Sequence, residues 1–229
     1  VSTLSNALLL TPEKFEEMMK AGLDWLTISV DGTGKKYDEI RAPAKFDDLI
    51  EKLKKFKEIK KKYKSDKPVI KVQTIWPAIK DNPDEYFSTF RPLVDQVTCN
   101  QLVDYLAQDD PNQIVHAPKF NCHVLYQRLT IGADGKILLC YNDEFDKHKL
   151  GHVENDTLES VWHGKKMNEA RAVHKKNKGT EVYEACRKCF LPREHESFTT
   201  VKVGKRKVAI DKLIARSQEV SISKKYKGN

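Results

Sequence analysis

The feature that most restricts this chain is a C-x-x-C at Cys186 and Cys189, preceded by two isolated cysteines at Cys122 and Cys140. A tight turn presents both of its sulfurs to one point. A hairpin followed by a helix that folds back can bring the other two to the same place. Four soft thiolates suit zinc or an iron–sulfur cluster. The chain holds five cysteines, an odd number, in a spacing unlike that of a small secreted disulfide framework. The expectation is a reduced, cytoplasmic protein with one metal centre rather than two bridges. Cys99, alone at the end of an apolar run, reads as a small buried hydrophobe.

Zinc and iron–sulfur both remain open at this point. Structural zinc sites often use two C-x-x-C knuckles. Here one pair is replaced by the widely spaced Cys122 and Cys140, which is atypical for zinc without excluding it. His123, His148, His152 and His163 lie in the same half and could compete as ligands, but none has ligand spacing to a second. Redox chemistry at the C-x-x-C fits less well. Catalytic pairs open a helix after a strand, and this pair runs into Phe190-Leu191-Pro192.

Composition narrows the class. Hydrophobic residues make up 39% and charged residues 32%, the balance of a globular chain and not a disordered or fibrous one. No apolar run reaches the roughly 18 residues of a membrane span, so no membrane partner is expected. The chain opens at Val1 with no start Met and no basic-then-apolar leader, so we expect no secretion signal and a chain that lacks its own beginning. The net charge of +8 is concentrated late, where residues 201–229 hold nine Lys or Arg against Asp211 and Glu219. Only Tyr226 interleaves with those charges, too few for a row of stacking platforms, so the stretch reads as a solvated, frayed terminus and nucleic acid is not an expected partner. The lysines of 45–64 are the wet face of a helix whose apolar side is Phe46, Leu49, Ile50, Leu53, Phe56 and Ile59.

The two halves follow different patterns. Residues 1–106 alternate strand and helix, which argues a parallel α/β sheet with helices on its outside. Strands are expected at 1–5, 24–30, 69–75 and 95–99, and helices after Thr11-Pro12, over 45–64 and over 83–91. Residues 107–119 are polar with proline and read as a linker. In residues 120–196, Ala133-Asp134-Gly135-Lys136 between apolar runs reads as a hairpin turn in which both central positions tolerate positive φ. A single helix is expected from Leu158 to His174, with Asp156 and Glu159 as a cap-like pair. Residues 197–229 are the basic tail.

Three stretches carry a resemblance. FNCHVLYQRLTIGADGKILLCYND, LGHVENDTLESVWHGKKMNEAR and CRKCFLPRE resemble the SPASM/twitch extension of radical S-adenosylmethionine enzymes, in which a cysteine, an Asp-Gly hairpin, a second cysteine, a helix and a C-x-x-C follow in that order. Cys122, Cys140, Cys186 and Cys189 match the four-cysteine twitch form position for position. The resemblance therefore implies one auxiliary [4Fe-4S] cluster, with zinc as the alternative metal. SNALLLTPEKFEEMMKAGLDWLTISVDGTGKKYDEIR resembles the third strand, helix and fourth strand of the radical SAM barrel. The implied fold is α/β: the C-terminal portion of a partial (β/α) barrel, followed by a small α+β cluster domain with a β-hairpin.

The same resemblance implies S-adenosylmethionine contacts at Ser29, Asp31 and Arg41, against the plainer reading of a turn and a surface helix residue. It implies a second [4Fe-4S] cluster in the full-length protein and an electron donor such as flavodoxin or ferredoxin. The implied activity is radical oxidation or modification of a peptide, sugar, aminocyclitol or nucleotide. Arg187 and Lys188 would offset the charge of the cluster, and no base is carried over to Tyr141 or Asp143, which follow Cys140. The departure is the missing C-x-x-x-C-x-x-C that holds the catalytic cluster, so these 229 residues alone are expected to be inactive. The other class of function is a non-catalytic, zinc-stabilised binding module with a basic tail. A brown protein separates the first class from the second.

Overall fold

The computed structural model describes residues 1–100, 114–143, 145–203 and 206–213. Residues 107–113 of the expected linker and 214–229 of the expected tail lie outside them. The described residues form two compact units, built on 1–100 and on 114–198.

The first unit is a four-stranded parallel sheet in the order β1 (Ser2–Ser5), β2 (Trp25–Ser29), β3 (Val69–Ile75), β4 (Gln96–Asn100). Helix α1 (Pro12–Lys20) joins β1 to β2, α2 (Gly34–Ile40) and α3 (Phe46–Lys62) join β2 to β3, and α4 (Trp76–Ile79) and α5 (Pro83–Phe90) join β3 to β4. Neighbours in the sheet are neighbours in sequence, the winding of a β/α barrel rather than of a doubly wound sheet. Thr11 caps α1 by accepting from the Lys14 amide at 3.3 Å, and Pro12 supplies the preset φ of the first turn.

Strand alternation divides the sheet into two faces. Leu26, Ile28, Ile70 and Val72 are almost wholly buried, in one core with Leu49, Leu53 and Phe56 of α3 and Phe15 of α1. Phe15 and Phe56 stack at 4.3 Å. The register places Ser29 beside Gln73 and Gln73 beside Thr98, so the opposite face carries a polar row across three strands. Helix α2, which the sequence reading leaves unassigned, carries Tyr37 into the core and ends at Arg41.

The second unit contains a three-stranded sheet, β5 (Thr130–Ile131), β6 (Lys136–Leu138) and β7 (Lys149–His152), with antiparallel pairing throughout. The expected hairpin is present, but only Gly135 has positive φ, at +82°; its amide bonds Gly132 O, which makes a longer loop than a two-residue turn. The expected single helix is two, α6 (Leu158–Trp162) and α7 (Lys165–Lys175). At the break, Gly164 packs so closely on the preceding turn that a Cβ there would lie 2.6 Å from Ser160 O. The cap of α6 is Thr157, accepting from the Ser160 amide at 3.1 Å; Asp156 instead accepts from the His152 amide. One-turn helices α8 (Gly179–Val182) and α9 (Glu184–Arg187) lead into the C-x-x-C.

Residues 115–117 pair with 192–194 through His116 opposite Arg193 and the Ala117 amide on Pro192 O at 2.8 Å. In the stretch read as a solvated terminus, β8 (His195–Val203) and β9 (Arg206–Leu213) form a two-stranded sheet. Val201 and Val203, then Val208 and Ile210, carry the two-residue period that a reading of charge alone passes over. No helix among the described residues is long and apolar enough to cross a membrane.

Candidate metal centre

Three separate segments deliver the four thiols. Cys122 caps a short 3-10 turn (His123–Tyr126), Cys140 follows β6, Cys186 lies in α9 and Cys189 closes the turn after it, its amide on Cys186 O at 3.3 Å. All four line one cavity of about 30 Å³, against the roughly 10–15 Å³ that a single water needs. Behind it lies a small apolar cluster of Leu125, Leu139, Met167 and Ala170.

Burial pushes every one of these thiols up. Cys122 and Cys140 are raised, Cys189 is pushed to about 11, and Cys186, which also faces the charges of Cys140, Cys189 and Cys122, is raised furthest. Four thiolates so placed are compatible only with positive charge between them. The protein prepares three of the sulfurs to be anionic. Amides of Val124 and Leu125 point at Cys122, amides of Asn142 and Asp143 at Cys140, and the Leu191 amide and Asn142 Nδ2 donate to Cys189 at 3.4 and 3.0 Å. Among the described residues, no three His, Cys, Asp or Glu are grouped to hold a single metal ion.

Several residues that matter here are absent from the sequence reading. His174 lines the cavity with its Nε2 3.4 Å from Cys186 Sγ. It lies on the buried side of α7 with Met167 and Ala170, at helical spacing, and that periodicity was the available signal. His152 bonds Asp134 O and His163 closes α6, while His148 packs edge-on to Tyr183. The buried cation at the knuckle is Arg193, 6% exposed, whose Nη2 and Nε donate to Lys188 O and Cys189 O at 2.8 and 3.3 Å. Arg187, by contrast, is exposed and bonds Glu181 O. Asp143 spends both carboxylate oxygens on the amides of Lys147 and His148, at 3.0 and 2.7 Å, and so shapes the loop after Cys140. Cys99 is elsewhere, on β4 against the first core, and burial pushes its thiol up to about 12.

In the first unit, two of the three residues expected at a cofactor site meet at the C-terminal end of the sheet. Asp31 is 8% exposed; Arg41 Nη2 donates to its Oδ2 at 2.5 Å and Thr74 Oγ1 to its Oδ1 at 3.2 Å. Ser29 ends β2 on the polar face. Arg41 Nε and Thr98 Oγ1 are buried with no hydrogen-bond partner among the described residues. Carboxyl ends of parallel strands are where such sheets bind ligands.

The fold is α/β, with a sequentially wound parallel β/α sheet in one unit and four thiols lining one cavity in the other. Residues 1–85 match the radical SAM superfamily and residues 122–190 match SPASM, an iron–sulfur cluster-binding domain. The chain thus combines a radical SAM segment with an iron–sulfur cluster-binding SPASM segment, and the cofactors these two families imply are S-adenosylmethionine and [4Fe-4S] clusters. No curated protein matches the sequence. Among solved structures it is similar to native anSMEcpe with bound AdoMet (TM-score 0.54, 13% identity, 82% of this chain and 63% of that one). It is also similar to native anSMEcpe with bound AdoMet and Kp18Cys peptide (TM-score 0.54, 13% identity, 82% and 64%). A complex of BtrN with AdoMet and 2-DOIA aligns with TM-score 0.48 at 16% identity, over 82% and 59%. At these identities the likeness is one of fold. The chain spans 61% of a further solved relative, a histidine-tagged form of anSMEcpe with bound AdoMet.

Proposed function

We propose that these residues are the barrel-and-cluster part of an enzyme that modifies or oxidises its substrate by S-adenosylmethionine radical chemistry. In this reading, residues 120–196 are the auxiliary cluster domain and Cys122, Cys140, Cys186 and Cys189 its ligands. The observation that carries it is the convergence of these four thiols on one cavity within the segment matched as iron–sulfur binding. An auxiliary cluster, when bound, supplies an acceptor for the electron a substrate radical gives up, or an anchor for the substrate.

The chain's own residues divide the remaining work. Amide and Asn142 donors stabilise negative sulfur, and Arg193 places a buried cation beside the knuckle. In the first unit Asp31 fixes the Arg41 guanidinium, so Asp31 acts as a positioning residue. Arg41 Nε and Thr98 Oγ1 keep unused hydrogen-bonding capacity for a bound ligand, and Ser29 adds a hydroxyl on the same end of the sheet. S-adenosylmethionine, carrying a carboxylate and ribose hydroxyls, offers matching groups. Reductive cleavage needs an external electron, which a flavodoxin or ferredoxin would deliver.

The assignment is tested by iron and sulfide content after anaerobic reconstitution. Cys140→Ser should lose most of its iron, and Cys99→Ser should bind as the unaltered chain does. Equal loss in both would sink the ligand assignment, and a colourless chain that retains zinc would replace the cluster. Because no C-x-x-x-C-x-x-C occurs in the 229 residues, the reduced chain with S-adenosylmethionine should release no 5′-deoxyadenosine. Release of that nucleoside would show that the catalytic site has been misread.

A further inference from the structure

Three of the four centre cysteines share one local setting and the fourth does not. The sulfurs of Cys122, Cys140 and Cys189 face N–H donors, mostly amides a few residues further along the chain. At Cys186 the close polar neighbour is an imidazole nitrogen, His174 Nε2, at 3.4 Å. The other ring nitrogen settles what Nε2 carries. His174 Nδ1 lies 2.8 Å from Ala170 O, and a carbonyl can only accept, so Nδ1 holds the hydrogen and Nε2 presents a lone pair. A Cys186 thiol can donate its S–H to that lone pair; once the sulfur gives up its hydrogen to hold a metal, the lone pair is left aimed at the same metal atom. A ring with one nitrogen bonded to a main-chain carbonyl and the other free is the usual arrangement of a metal-binding histidine.

The spacing agrees. With Nε2 only 3.4 Å from Cys186 Sγ, the ring nitrogen lies within a small shift of the place the sulfur would hold on a metal atom. The ring is also held in place. His174 is 2% exposed, lies flat on Tyr183 at an interplanar angle of 15°, and lines the thiol cavity. Its slot depends on Gly179, where a Cβ would come within 2.4 Å of the ring. Glycine at that position leaves room for an imidazole that any larger residue would displace.

We propose that His174 is a further donor at this centre, its Nε2 binding the metal atom that Cys186 holds, in exchange for that thiolate. The proposal rests on the reading that the four cysteines hold an iron–sulfur cluster. In the exchange one metal–sulfur bond breaks and one metal–nitrogen bond forms. The released Cys186 thiolate takes a proton from solvent, and no electron moves. A neutral donor replaces an anionic one, so the centre becomes less negative and easier to reduce.

The test reconstitutes the full chain with iron and sulfide as wild type, Cys186→Ala, Cys189→Ala and the double variant Cys186→Ala/His174→Phe, in which Phe keeps a ring on Tyr183. Iron content, visible absorption and pulsed electron spin resonance of the reduced centre with heavy-nitrogen-labelled histidine are read. Cys186→Ala should keep roughly half its iron or more and show coupling to a histidine nitrogen, because a second donor stands ready. Cys189→Ala and the double variant should lose most of theirs. A Cys186→Ala chain as empty as Cys189→Ala, or loaded without histidine coupling, overturns the proposal and leaves the four-cysteine reading intact, provided the wild type is loaded. A wild type that takes up no iron overturns both.

Discussion

Chelating the iron from a loaded chain should strip hydrogen-exchange protection from residues 122–190 while β2 and β3 change little. The second unit has little else to hold it. Its strands β5, β6 and β7 are two, three and four residues long, and the buried part of its central cluster is Leu125, Leu139, Met167 and Ala170. Three chain segments, at Cys122, at Cys140 and at the 186–189 knuckle, converge at the thiols. Binding free energy at a thiolate metal site adds directly to folding and is on the order of 10 kcal/mol, comparable to the whole stability of a small domain. The first unit has its own continuous core, from Phe15 and Leu26 through Leu53 and Phe56 to Phe90. Its amides should keep their exchange rates. If chelation instead unfolds the entire chain in one step, the two units share a single cooperative core and their separation here is wrong.

Replacing Arg41 by Met should destabilise the first unit by roughly 3–5 kcal/mol, the range for removing one partner of a buried ion pair. The side chain of Asp31 is 11% exposed and that of Arg41 28%, so the value should fall at the lower end as water reaches the arginine. With Arg41 gone, Thr74 alone would face a buried carboxylate. The urea midpoint should drop with its slope unchanged. Arg41→Met combined with Asp31→Asn should recover most of the loss, because no uncompensated charge remains. A loss below about 1 kcal/mol for Arg41→Met would show that the pair is solvated and has no positioning role.

Much of this was legible in the chain because its physics is local. Val69–Ile75 alternates with a period of two and is β3 to the residue; Phe46, Leu49, Leu53 and Phe56 recur at three and four and mark α3. Thr11-Pro12 starts a helix in almost any context. What was misread lay where a contact overrides propensity. The helix expected over Leu158 to His174 breaks at Gly164, where close packing on Ser160 O sets the path, and β8 and β9 form where charge suggested a frayed end.

The sequence by itself determined the identity and order of the thiols and the winding of the sheet, since cysteine spacing and hydrophobic period are properties of neighbours along the chain. Only the tertiary structure decided what surrounds them. His174 comes to Cys186 from twelve residues upstream, and Asn142 comes to Cys189 from forty-seven. Arg41 comes to Asp31 across a turn and a helix, and Arg193 closes over the carbonyls of the knuckle. Hydrogen bonds and ion pairs depend on distance and angle in space. Linear spacing constrains neither until the core that carries the side chains has packed.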